Sequence, residues 1–282
     1  MKLIECPRDA MQGLHNFIPT SIKADYINKL LKVGFDTIDF GSFVSPKAIP
    51  QLKDTADVLD LLDLTSTKSS LLAIIANTRG AQDAIAFDQI SYLGFPFSVS
   101  ETFQRRNTNS GIQESLNTVD ELLNLCDKYG KTAVVYLSMG FGNPYGDEWS
   151  NEIVEKLTEE LVIRGVKILS LSDTIGVSTP DKINYLFPHL VKKFPNIEFG
   201  VHLHSTPSSW EEKIDAAYKS GCKRFDSALK GFGGCPMATD SLTGNIATEN
   251  VISYLEKQGV ELSLDMTAWQ DALSFSNRVF LQ

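Results

Sequence analysis

Short apolar runs alternate with longer stretches of helical periodicity from one end of the chain to the other. The runs are LIEC (3–6), TIDFG (37–41), LLAIIA (71–76), ISYLGF (90–95), AVVYLSM (133–139), KILSLSD (167–173), FGVHLH (199–204) and RFDSALKG (224–231). Their lengths suit strands, and several are apolar almost throughout, as strands covered on both faces must be. Between them, SIKADYINKLLKVG (21–34), SLNTVDELLNLCDKYG (115–130), EIVEKLTEELVIRG (152–165) and DKINYLFPHLVKKF (181–194) space apolar residues at three- and four-residue intervals. Several close on Gly or run into Pro, as helix ends do. ATENVISYLEKQG (247–259) repeats the pattern after the last run. Strand–helix alternation forces parallel pairing with right-handed crossovers. Eight such units predict a closed TIM (β/α)₈ barrel rather than an open doubly wound sheet, and no GxGxxG follows the first strand to suggest a dinucleotide site. No linker or charge run divides the sequence. The expectation is one catalytic domain over 1–282, with the barrel to about 260 and a short C-terminal helical extension over 261–282.

Composition narrows the class further. A chain of 282 residues, 43% hydrophobic and 22% charged, matches the size and balance of an α/β barrel. A net charge of −9 argues against nucleic acid as a partner, which requires a clustered basic surface. No run approaches the roughly 20 apolar residues that cross a membrane. MKLIECPRDA enters a strand directly and carries no leader pattern. The four cysteines (Cys6, Cys126, Cys222, Cys235) are scattered with no CxxC pair, which fits reduced thiols and predicts a cytoplasmic protein. Cys6, Cys126 and Cys222 read as small core hydrophobes.

In a barrel of this kind chemistry collects at the C-terminal ends of the strands, and the reactive residues of this sequence fall there. Strand 7 ends in His202-Leu203-His204, two of only four histidines, spaced so that both imidazoles project to one face and can reach one ion. Strand 1, one strand away across strand 8, ends in Cys6-Pro7-Arg8-Asp9, where Asp9 could complete a mixed oxygen and nitrogen site and Arg8 supply a fixed cation. An ordinary salt-bridged cap would explain Arg8 and Asp9 singly. Strand 6 ends in Ser172-Asp173-Thr174-Ile175-Gly176, whose carboxylate serves equally as an acid/base group or as a helix cap. After strand 8, Gly231-Phe232-Gly233-Gly234-Cys235-Pro236 forms a glycine-dense loop carrying a thiol, followed by Thr243-Gly244-Asn245. Two imidazoles among oxygen ligands suit Mg²⁺, Mn²⁺ or Co²⁺ better than a closed structural zinc site.

The segments PRDAMQG (7–13), SFVSPKAIPQ (42–51), SETF (100–103), SLSDTIGVSTP (170–180), VHLH (201–204), GFGGCP (231–236) and GNIATE (244–249) stand in the order of, and together resemble, the signature of the 3-hydroxy-3-methylglutaryl-CoA (HMG-CoA) lyase family. SFVSPK-IPQ and GGCP point to the lyase branch, whereas the RD and HxH elements mark only the wider metallolyase superfamily. The resemblance implies cleavage of HMG-CoA to acetyl-CoA and acetoacetate with a divalent cation, Mg²⁺ or Mn²⁺, held by Asp9, His202, His204 and Asn245. It makes Cys235 the loop thiol, Arg8 the group that stabilises the enolate, and Asp173 an acid/base or orienting group near the substrate hydroxyl, with Thr174 beside it. It also implies a homodimer. Lys47, Arg105 and Arg106, near strand ends 2 and 4, are candidates for the CoA phosphates, or else solvated surface charges.

Three positions depart from the family pattern. Asp39 stands where the family has Glu at the end of strand 2, Ser205 follows the second histidine in place of Asp, and the Cys235–Asn245 loop is longer and poorer in Gly. Asp39 is counted with the catalytic group nonetheless. These changes leave two other readings open: a related metal-dependent aldolase or Claisen-type enzyme on another 3-hydroxyacyl-CoA or 2-oxo acid, and a barrel that binds metal or acyl-CoA without turnover.

Overall fold

The structure is a computed structural model that describes residues 1–234 and 243–281. Its strands are β1 (Lys2–Glu5), β2 (Thr37–Ser42), β3 (Ser70–Ile74), β4 (Ile90–Ser98), β5 (Thr132–Ser138), β6 (Ile168–Asp173), β7 (Glu198–Ser205), β8 (Arg224–Ser227) and a short β9 (Gly244–Asn245). The first eight pair in parallel, each with the next, and β1 closes on β8. The TIM barrel expected from the alternation is therefore present. Its helices are α1 (Pro7–Gln12), α2 (Thr20–Val33), α3 (Thr55–Asp60), α4 (Thr78–Ala84), α5 (Glu101–Thr108), α6 (Ile112–Tyr129), α7 (Asn151–Arg164), α8 (Pro180–Lys193), α9 (Trp210–Lys219), α10 (Thr248–Lys257) and a further α11 (Met266–Phe280) packed on α2. Among the described residues, no helix is long and apolar enough to cross a membrane.

Alternation along each strand divides the core in two. On β3, Leu71 and Ala73 face the helical layer while Leu72 points inward to meet Val134, Tyr136 and Ile168 inside the barrel. On β7, Val201 and Leu203 join the outer layer, and this leaves His202 and His204 to the interior. Three elements differ from the sequence reading. Pro7–Gln12 is a helix, opened by a proline whose missing N–H costs nothing at a first turn. β8 stops at Ser227 rather than Gly231, because Leu229–Gly231 turns with Lys230 in the left-handed region (φ 63°). Gly244–Asn245 adds an antiparallel strand beside β7.

Candidate active site

The two histidines bring their ring nitrogens together, with Nε2 of His202 3.3 Å from Nε2 of His204. Ligand atoms of Asp9, His202 and His204 lie within 4.8 Å of one another, all three residues being buried. Each ring is aimed by its other nitrogen. His204 Nδ1 lies 3.0 Å from the carbonyl oxygen of Thr174, which can only accept, so Nδ1 carries the proton and Nε2 presents its lone pair. His202 Nδ1 lies 3.3 Å from Asp226 Oδ2, its partner across the β7–β8 register. Burial and the neighbouring charge of His202 push His204 down to about 4, so its imidazole is neutral at physiological pH. Burial also works against a proton on His202, but the Asp226 hydrogen bond and the carboxylate of Asp9 outweigh it and raise His202. These buried, converging donors fit a cation, which would relieve the close approach of two imidazole nitrogens.

Asp9 sits on α1 just after β1. Burial would raise its carboxyl, yet Arg8, His202 and His204 together hold it below the usual range. Its Oδ1 accepts from Arg8 Nη1 (2.9 Å) and Gln12 Nε2 (2.6 Å), and its Oδ2 from Asn245 Nδ2 (2.6 Å). Asn245 reaches it because β9 pairs residue by residue with β7, Asn245 opposite His204. The same amide nitrogen donates to the carbonyl of Phe232 (2.9 Å). Gly233 runs close by in the left-handed region (φ +103°), and a Cβ there would lie 2.6 Å from Asn245 Nδ2 and 2.8 Å from the Asp9 carbonyl. Only glycine lets this loop pass so near the site.

Arg8 is buried and held in a fixed direction. Its Nε and Nη2 both donate to Asp39 and its Nη1 to Gln12 Oε1 (3.0 Å). Burial opposes its charge, but the carboxylates of Asp39 and Asp9 more than compensate and raise the guanidinium further. Asp39 is pushed up to about 6 by burial, against the pull of Arg8. The shorter carboxylate at this position thus still reaches the arginine.

Above these groups opens a cavity of about 390 Å³, floored by Arg8, Asp9, His202 and His204 and walled by Tyr136, Ser172 and Thr174. Its rim includes Ala48, Ile49, Phe103 and Arg106. Arg106 is exposed and lies over the Tyr145 ring (4.6 Å), while Arg105 is an exposed ion pair with Glu101 and Lys47 is exposed beside the rim. Of the three, Arg106 alone is part of the cavity wall. Asp173 does not line the cavity: its carboxylate accepts from Val177 N (2.7 Å), Ser178 N (3.0 Å), Ser178 Oγ (2.5 Å) and Lys213 Nζ (2.8 Å). The turn after β6 and Lys213 thus occupy both of its oxygens. Cys235 lies outside the described residues.

The HMGL-like family model matches residues 3–275. The chain belongs to the HMGL-like family. It is 34% identical over 260 residues to the hydroxymethylglutaryl-CoA lyase YngG of Bacillus subtilis, covering 92% of this chain and 86% of that one. It is 30% identical over 277 residues to the cytoplasmic 3-hydroxy-3-methylglutaryl-CoA lyase of Rattus norvegicus, covering 98% of this chain and 80% of the relative. Among solved structures, an HMG-CoA lyase from Acinetobacter baumannii in complex with coenzyme A and 3-methylmalate superposes with a TM-score of 0.91 at 29% identity, over 99% of this chain and 90% of the other. The HMG-CoA lyase of Bacillus subtilis superposes equally well (TM-score 0.91, 32% identity, 98% and 92% covered). Membership of this lyase family agrees with the resemblance read from the motifs.

Three residues that contact the candidate site carry no mark in the sequence alone. Asp226 lies inside a predicted strand, and its register with His202 was the available signal. Gln12 is one helical turn beyond Arg8 and Asp9, visible only once Pro7–Gln12 is recognised as a helix. Lys213 looks like a surface lysine of α9, yet it is buried and donates to Asp173, to the Gly176 carbonyl (3.0 Å) and to the His204 carbonyl (2.8 Å). Nothing in the local sequence marks it.

Proposed function

We propose that the chain cleaves HMG-CoA to acetyl-CoA and acetoacetate at the barrel mouth, as one catalytic domain over residues 1–282. Asp9, His202, His204 and Asn245 would hold a divalent cation, Mg²⁺ or Mn²⁺, which when bound lowers the pKa of the substrate's tertiary hydroxyl. The observation that carries the reading is the convergence of Asp9, His202 and His204 beside a buried, bidentately fixed Arg8 on one cavity floor. Transfer of the hydroxyl proton to water in the cavity lets the bond between C2 and C3 break, its electron pair passing to the thioester as an enolate. Arg8 is held by Asp39 and Gln12 where that charge develops, and a preorganised donor in a water-poor site does most there. A proton delivered to the enolate carbon, the role given to Cys235, completes acetyl-CoA, while the former alcohol carbon leaves as the ketone of acetoacetate. Asp173 acts through Lys213 as a positioning group, and the Thr174 hydroxyl, which accepts from Met139 N (2.9 Å), keeps its own proton for the substrate.

Arg106 stands where a CoA phosphate could meet it at the rim, with Arg105 and Lys47 further out. The coenzyme A bound in the Acinetobacter relative supports an acyl-CoA ligand. A homodimer in the cytoplasm is part of the same proposal. The test is acetoacetate release from HMG-CoA with Mg²⁺ or Mn²⁺, before and after chelation. Chelator-sensitive turnover is expected. Cation binding without turnover would overturn the assignment, and turnover of a different 3-hydroxyacyl-CoA in its place would move the substrate.

A further inference from the structure

The end of α11, outside the barrel, reaches back to the candidate metal site. Phe280 stacks on Phe232, with ring centroids 4.4 Å apart and planes at 16°, and meets Tyr26 of α2 edge-on at 5.8 Å. One turn earlier, Asn277 Oδ1 accepts from Lys230 Nζ (2.5 Å). Both aromatic rings pack on Ile4, Cys6, Ala10 and Ala228, the small apolar cluster around the start of α1. Phe232 lies in the turn that follows β8, and its carbonyl accepts from the amide of Asn245, which also donates to Asp9. Contacts therefore run without a gap from Phe280 through Phe232 and Asn245 to Asp9. The turn is not one the backbone would choose freely. Lys230, Gly231 and Gly233 all have positive φ (63°, 68° and 103°), and Lys230 bears a side chain. Such a conformation persists where the surroundings impose it. Here they are Glu5 on Leu229 N, Glu249 on Lys230 N, and α11 on the two side chains that follow.

We infer that Phe280 and Asn277 are positioning residues for the cation site, holding the 229–234 turn so that the Phe232 carbonyl fixes the Asn245 amide beside Asp9. The inference rests on the proposed reading of that site as cation-binding. Mn²⁺ affinity, followed by electron paramagnetic resonance, tests it without requiring turnover. Phe280→Ala should weaken Mn²⁺ binding about 2- to 10-fold, the range of a lost aromatic stack. Phe280→Leu, which keeps apolar volume but not the stacked ring, guards against a variant that does not fold. Phe280→Tyr should bind as wild type. Steady-state turnover of Phe280→Ala should recover most of its kcat at saturating Mn²⁺. Trp269→Leu supplies the control, because it loosens the same helix at its other end, where Trp269 meets Phe35 (6.1 Å, 79°) far along the helix from Phe232. It should lower Tm and leave Mn²⁺ affinity unchanged. Unchanged affinity in both Phe280→Ala and Phe280→Leu, or an equal loss in Trp269→Leu at a matched fall in Tm, overturns the inference alone. Wild-type protein that binds no Mn²⁺ overturns the reading of the site, and the inference with it.

Discussion

Glu5, the last residue of β1, is buried and joins β1 to the segment after β8. Its Oε1 accepts from Leu229 N (2.8 Å) and its Oε2 pairs with the Thr248 hydroxyl (2.5 Å), which also lies 2.9 Å from Ser227 Oγ. Burial is the largest influence and raises the carboxyl from 4.5 to about 8, the two hydrogen bonds recovering only part. Between those values the folded state keeps a proton that the unfolded chain has lost. Folding stability therefore falls as pH rises through that window and levels off above it. The perturbation is Glu5→Gln, which has the same shape, accepts from Leu229 N with its oxygen and donates to Thr248 with its nitrogen, and does not titrate. The displaced pKa sets a ceiling of about 5 kcal/mol on the cost of the ionised carboxylate, and water admitted by local relaxation would leave on the order of 2–3 kcal/mol. Urea unfolding of wild type and Glu5→Gln from pH 5 to pH 9 measures it, since other titrations cancel in the difference. The two should be within about 1 kcal/mol at pH 5, with the Gln variant gaining steadily to pH 8 or beyond. A difference that stays flat across that range, or one that favours wild type at high pH, would refute the reasoning.

The remaining expectations concern the site. His204→Ala should lose both Mn²⁺ affinity and turnover, whereas Cys235→Ala should slow turnover greatly with affinity nearly intact; equal affinity losses measured by titration calorimetry would contradict the roles proposed. Because His202 is raised by Asp226 and Asp9, a cation must displace its proton, so Mn²⁺ affinity should fall as pH drops below neutral, approaching tenfold per unit once His202 is largely protonated. Affinity that does not change between pH 6 and pH 8 would count against His202 as a ligand. Lys213→Met strands the buried Asp173 carboxylate and should cost about 3–5 kcal/mol in urea unfolding, as breaking a buried pair does. A loss below about 1 kcal/mol would mean that water replaces the lysine.

How far the sequence carried depended on the range over which each feature is set. Strand and helix periodicity is local, so eight strands and a barrel could be read, and the two histidines at i and i+2 announced a shared face without any fold. Asp9 is offered by its place at the end of strand 1 and Asn245 by motif resemblance, and neither shows that the two meet through β9. The strand expected over 224–231 ends four residues early, at Ser227, although SALKG is compatible with a strand by itself. Its turn is held in part by the Glu5 carboxyl group on Leu229 N, 224 residues away in the chain. Asp173 shows the converse. A carboxylate at a strand end matches both an acid/base group and an anchor, and the buried Lys213 that pairs with it is contributed by α9, 40 residues further on, where no local pattern marks it.

The Asp9–Asn245 hydrogen bond links residues 236 positions apart, and the Glu5–Thr248 bond spans 243. Contacts of such sequence separation require the whole ring of strands to close before they can form, which makes them late and slow to acquire. A growing chain could shape His202 and His204 on β7 well before it has the residue that joins them to Asp9. Full-strength cation capture would then begin only once the final strand–helix unit has locked against the first, so acquisition of the ion would report that the barrel is complete.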